Sequence, residues 1–114
     1  LETEIVDTDN NFASSRFTPT TAGKYLVTGG TYIDGAANNS HYAAIYKNGS
    51  NYASIRYSWA DNSGDSVTTI VDMNGSTDYL ELYARQNSGG GRNFIGEDNS
   101  ARKGNYLLAI KLID

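Results

Sequence analysis

Few side chains in this sequence are of the types that do covalent chemistry, and those few are not spaced for it. The sole histidine, His41, has no nucleophile pattern around it, and no Gly-x-Ser-x-Gly elbow or metal-binding histidine pair occurs. There is no cysteine to act as a nucleophile or a zinc ligand. Catalysis relies on such groups held within reach of one another, so the chain reads as a non-enzyme that uses no cofactor.

Residues suited to binding are more prominent. Asp61-Asn62-Ser63-Gly64-Asp65 gathers oxygen donors in one turn, the ligand type calcium prefers, with Asp61 and Asp65 as the carboxylates. The same residues make an ordinary Asx-rich turn, which is the preferred reading. Just before it, Arg56, Tyr57 and Trp59 join Asp61 to place a cation, aromatic faces and a carboxylate where a sugar or protein loop would need them. Core packing is the competing role for Trp59. The stretch Asn87 to Arg92 contains Gly89-Gly90-Gly91 but lacks the Lys-Ser/Thr ending of a phosphate loop, and reads as a connection between strands. Asn-x-Ser acceptors start at Asn38, Asn48 and Asn74, two of them on Asn-Gly turns that explain them without glycosylation.

The elements that must position these residues are strands. Turn signals recur at Asp9-Asn10-Asn11, Asp34-Gly35, Asn48-Gly49, Asp61 to Gly64, Asn74-Gly75, Gly89 to Gly91 and Lys103-Gly104-Asn105. Between them run β-formers: Thr3 to Val6, Lys24 to Ile33, His41 to Tyr46, Tyr52 to Trp59, Val67 to Met73, Tyr79 to Arg85 and Tyr106 to Ile113. No segment has helical periodicity. Asn48-Gly49, between Ile45-Tyr46-Lys47 and Ser50, suits the two positive-φ positions of a type I′ hairpin. Pro19 belongs in a loop or at an edge.

The 114 residues suffice for one domain, 1–114, with one core. A net charge of -4 argues against binding a phosphate backbone, so nucleic acid is not an expected partner. No apolar run approaches the roughly 18 residues of a membrane helix, and membrane insertion is not expected. The opening Leu1-Glu2-Thr3-Glu4, without an initiator Met, reads as an excised or processed piece.

Alternation sorts the strands into two kinds. Val67, Val71 and Met73 share one face of their run with Thr69, while Ser66, Thr68 and Asp72 surround Ile70 on a mainly wet face. Other runs are apolar or aromatic on both faces: Tyr25 and Val27 against Leu26, Tyr79 and Tyr83 against Leu80 and Leu82, and Tyr106, Leu108 and Ile110 against Leu107 and Ala109. A small sandwich has one core, so the outer face of such strands needs a second cover, and a subunit interface supplies it. Tyr25, Val27, Tyr79, Tyr83, Tyr106, Leu108 and Ile110 are its expected residues.

Phe17-x5-Gly23-x-Tyr25-x-Val27, preceded by Asp9-Asn10-Asn11-Phe12, resembles the signature of the complement component 1q globular head and its tumour-necrosis-factor-like relatives. Asn74 to Leu82 is similar to that family's turn and following strand, and Gly104-Asn105-Tyr106-Leu107-Leu108 to its closing strand. The resemblance implies an all-β jelly-roll sandwich of about ten antiparallel strands that forms a compact homotrimer. The sheet holding the first, signature and last strands would face the threefold axis. Val27 and Gly29 stand where animal members usually carry aromatics, and the Asn- and Thr-rich loops look more like domains at the ends of bacterial and phage surface proteins. That implies a structural or receptor-binding head of a virion fibre, tail or capsid decoration, at the virion surface or outside the cell. Its partners would be a cell-surface glycan or protein receptor and other virion proteins. Two alternatives stay open: a secreted complement-like lectin or cytokine-like ligand, and a monomeric carbohydrate-binding module.

Overall fold

The computed structural model describes residues 12–13, 16–33, 40–58, 63–86 and 106–112. These form eight strands and no helix: β1 (Phe12–Ala13), β2 (Arg16–Phe17), β3 (Gly23–Ile33), β4 (Ser40–Lys47), β5 (Ser50–Ser58), β6 (Ser63–Met73), β7 (Leu80–Gln86) and β8 (Tyr106–Lys111). The expected strand Thr3 to Val6 lies outside the described residues, as does the Gly89 to Gly91 connection.

All pairings are antiparallel, in two sheets of order β1-β2-β7-β4-β5 and β6-β3-β8. Among the described strands, β1 to β2 and β4 to β5 connect neighbours directly, and each of the other steps from β2 to β8 crosses to the other sheet. The β4–β5 hairpin has the expected turn, with φ of 52° at Asn48 and 82° at Gly49. The two strands carry a bulge at Ile45/Tyr46, where Ile45 faces Ala53 and Tyr46 faces Asn51, leaving Tyr52 as the extra residue. Its hydroxyl donates to the Ile70 carbonyl at 3.0 Å, which ties β5 to β6 where the two sheets meet.

The core lies between the sheets. Tyr25 and Val27 of β3, Val67, Val71 and Met73 of β6 and Leu107 of β8 face Phe17, Ala43, Ile45 and Leu80. Val67, Val71 and Met73 therefore share the buried face expected from alternation, with Ile70 turned out. Phe17 and Tyr25 meet edge to face across the layers, centroids 5.6 Å apart at 71°. The Tyr25 hydroxyl donates to the Thr21 carbonyl at 2.8 Å, in the connection between β2 and β3 where Pro19 is also buried. Gly23 opens β3 at φ 147°, a conformation that a Cβ disfavours. The Phe17-x5-Gly23-x-Tyr25 spacing is thus the spacing of a loop that returns the chain to the opposite sheet with both rings inward.

At Gly29 the layers leave no space for a side chain: a Cβ there would meet Leu82 Cδ1 at 2.7 Å, with Ile45 and Leu107 at 3.6 Å. A side chain has no room because Leu82 of the other sheet already fills the space. Gly29→Val should destabilise by about 1–3 kcal/mol through overpacking, and Leu80→Ala by about 2–5 kcal/mol through a cavity, read from urea unfolding.

Candidate functional site

With one face of each sheet spent on the core, binding chemistry must come from the outer faces and the loops. The outer face of β6-β3-β8 is aliphatic at its centre. Leu26 stands opposite Ile70 on one side and Ile110 on the other, and Leu108 follows in the next row beside Thr28. Leu26 is 38% exposed, and Ile70, Leu108 and Ile110 are 51–52% exposed. Polar rows bound this patch. Lys24 and Asp72 form an ion pair at 2.7 Å on one side; Thr68 donates to Thr28 at 3.0 Å on the other. Tyr106 lies beyond, its ring over Gly30.

The outer face of the five-stranded sheet is aromatic and charged instead. Tyr46 and Tyr83 stack with centroids 4.2 Å apart at 27°. Ala44 pairs with Tyr83 and is buried although it lies on this outer side. Arg16 donates to Glu81 at 3.2 Å and lies 4.1 Å above the Tyr79 ring. The hydrogen bond to Glu81 raises the Arg16 pKa from an already high value, so the guanidinium stays charged. Tyr42 stands between Arg56 on β5 and Arg85 on β7 in the ladder.

At one end of the sandwich the β4–β5 turn is clasped to the β6–β7 connection. Asn48 donates its backbone N–H to the Tyr79 carbonyl and accepts from the Tyr79 N–H on its side-chain oxygen, each at 3.0 Å. Its amide nitrogen donates to Asp78 at 2.8 Å, and Lys47 Nζ lies 3.4 Å from the other Asp78 oxygen. Asn74 closes the connection by accepting from the backbone N–H groups of Ser76, Thr77 and Asp78. This Asx-type turn accounts for the Asn74 sequence without a ligand.

The seven expected interface residues do not share one surface. Tyr25 and Val27 are in the core of the single chain, because alternation turns them toward the five-stranded sheet and sends Leu26 outward. Tyr79 and Tyr83 belong with the five-stranded sheet, so they lie across the sandwich from the β6-β3-β8 face. Tyr106, Leu108 and Ile110 remain together on the outer side of β8, joined by Leu26 and Ile70. Those last two could have been found by aligning the outward sets of three neighbouring strands, and Tyr42 and Tyr46 by their alternation with Ala43 and Ile45.

Of the expected ligand loop, Arg56 and Tyr57 occupy β5 positions opposite Tyr42 and His41. Their side chains, Trp59 and Asp61 lie outside the described residues. Asp65, the second carboxylate of the Asx-rich segment, is in the ladder paired with Thr31, and Asp61 and Asn62 lie outside the described residues. Among the described residues no cluster of three or more His, Cys, Asp or Glu side chains suits a metal ion, and no helix is long and apolar enough to cross a membrane.

No protein-family model, curated protein or solved structure matches the chain. The residues therefore carry the functional argument alone.

The hydrogen bond from Asn48, supported by the Asn74 N–H and Lys47, lowers the Asp78 pKa below its ordinary value of 3.8. A carboxylate depressed in the fold stabilises above its unfolded pKa, and that contribution disappears as pH falls through the lower folded value. Stability should therefore decline below about pH 4, and Asp78→Asn should flatten that acid limb while lowering the neutral-pH melting temperature, in thermal unfolding followed by circular dichroism.

Proposed function

We propose that the chain is a jelly-roll head domain that assembles as a homotrimer and serves recognition, not catalysis, on a virion or bacterial surface appendage. The observation that carries this reading is the aliphatic outer face of β6-β3-β8. Leu26, Ile70, Leu108 and Ile110 form a contiguous patch with polar rows around it, the arrangement of an apolar interface core within a wet rim. The amino-acid pattern that produces it is a strand apolar on both faces at the centre and at one side of a small sheet.

Strand order supports the jelly-roll part. The chain alternates between sheets from β2 to β8 except at the β4–β5 hairpin, as a double-wound Greek key does. The pairing of β3 with β8 along six residue pairs agrees with the resemblance, which implies that signature and last strands share the axial sheet. A closed cyclic trimer would bury this face three times over while leaving the five-stranded sheet outward. Three outward copies then act together, so weak individual contacts to a surface receptor add up to avidity.

The test is solution mass by light scattering over a range of concentrations. A species of three times the 12.4 kDa chain is expected, and a monomer at all concentrations would overturn the trimer. Leu108→Asp and Ile110→Asp should give folded monomers, because both positions are half exposed in the single chain. Tyr83→Asp should leave the mass unchanged, and Val27→Asp should unfold the chain by burying an unpaired charge.

A further inference from the structure

We infer that the outer face of the five-stranded sheet is a binding site for an acidic oligosaccharide, centred on Tyr42, Tyr46, Tyr83 and Arg85. The inference rests on the recognition role proposed above and moves it from the loops to a sheet face.

Sugars present C–H faces that settle on aromatic rings and hydroxyls that take hydrogen bonds, so a site for them combines flat rings with polar groups at their edges. Tyr46 and Tyr83 each spend one ring face on their stack, centroids 4.2 Å apart, and the remaining face and edge are held with little side-chain freedom for binding to cost. Tyr83 is 45% exposed despite the stack. Along β4 the rings at Tyr42 and Tyr46 stand four residues apart with Ala44 between them. That is about 14 Å at the rise of an antiparallel strand, a span that matches several sugars in a row better than a single one. Ala44 between them is buried while its ladder partner Tyr83 is exposed, so rings rather than an open floor form the surface there.

Charge selects the acidic class. Arg56 and Arg85 are the two cross-strand neighbours of Tyr42 in the ladder, on a chain whose net charge is -4. Among the described residues Arg85 is exposed and forms no ion pair, while the nearby Glu81 is engaged by Arg16. Arginine holds a carboxylate through two parallel hydrogen bonds and stays charged at every accessible pH. A carboxylated sugar gives both the rings and Arg85 a partner; a neutral glycan leaves Arg85 unused.

The experiment is titration of the intact domain with tetragalacturonate, a hyaluronan hexasaccharide and oligomeric sialic acid, with maltotetraose as the neutral control, followed by NMR of the tyrosine rings and by calorimetry. At least one acidic oligomer should bind and shift the Tyr46 and Tyr83 ring signals, with affinity falling as salt is raised. Tyr83→Ala and Arg85→Ala should each weaken it about tenfold or more, and Arg85→Lys should recover only part, whereas Leu108→Asp should leave the per-chain affinity unchanged. Equal binding of maltotetraose, retention of affinity in Arg85→Ala, or no binding by any of the three acidic oligomers would overturn the inference. Folding of each variant is checked by its tyrosine spectrum. Light scattering on the same samples separates the two readings: a monomer that binds sinks only the trimer, and a trimer that does not bind sinks only this site.

Discussion

A sandwich of two sheets has four faces and one core, and β3 is the strand on which that constraint falls most heavily. It is central in its sheet and paired along its length, eleven residue pairs with β6 and six with β8, so it cannot twist away to hide a second apolar face. Once Tyr25 and Val27 are committed inward, Leu26 must point outward, and the ladder places Ile70 and Ile110 on either side of it. A slip of one residue would exchange the two sets and put Lys24 and Leu26, or Leu26 and Thr28, where Tyr25 and Val27 now fill the core. The inward choice is therefore strongly fixed, and the aliphatic outer patch follows from it.

What fixes that choice is how β3 is entered. Phe17 from one sheet meets Tyr25 from the other, the Tyr25 hydroxyl is held by Thr21, and Gly23 supplies the backbone conformation that turns the chain between them. The Tyr52 hydroxyl ties β5 to β6 at the edge where the sheets adjoin, and the Asn48 clasp holds the β4–β5 turn to the β6–β7 connection. These contacts use backbone carbonyls and short polar side chains, whose geometry is directional, while the core between them is shaped by volume. Exposed ion pairs such as Lys24–Asp72 add little to stability, since each stays hydrated.

Most of the strand content was legible because turn residues punctuate β-formers throughout, and the Asn48-Gly49 hairpin was legible down to its backbone angles. Alternation also gave the correct partition of Val67, Val71 and Met73 from Ile70. It could not give the sheet to which each strand belongs, because period two says that adjacent residues face opposite ways without saying which way is in. For that reason Tyr83 and Leu108 look alike in sequence as outward apolar residues although their strands lie in different sheets. The tyrosine face was hidden for a related reason: Tyr42 and Tyr46 become neighbours of Tyr83 and Arg85 only through the β4–β7 register, which joins residues some forty positions apart. Of the ligand loop expected around Arg56, Tyr57, Trp59 and Asp61, Arg56 stands opposite Tyr42 in the ladder, while Trp59 and Asp61 lie outside the described residues.

The two outer faces differ in the contact each favours. Leucine and isoleucine carry no hydrogen-bonding group, so the β6-β3-β8 patch gains only by excluding water, and a large, dry, lasting contact between rigid copies makes the most of it. Tyrosine and arginine keep polar atoms at the ends of rings and stems, so the β7-β4-β5 face can be covered or left wet at modest cost. Reversible recognition needs a face of the second kind, and permanent assembly one of the first. Because the sheets are back to back across a single core, a partner that covers the aliphatic face leaves the aromatic one open, and assembly need not compete with binding.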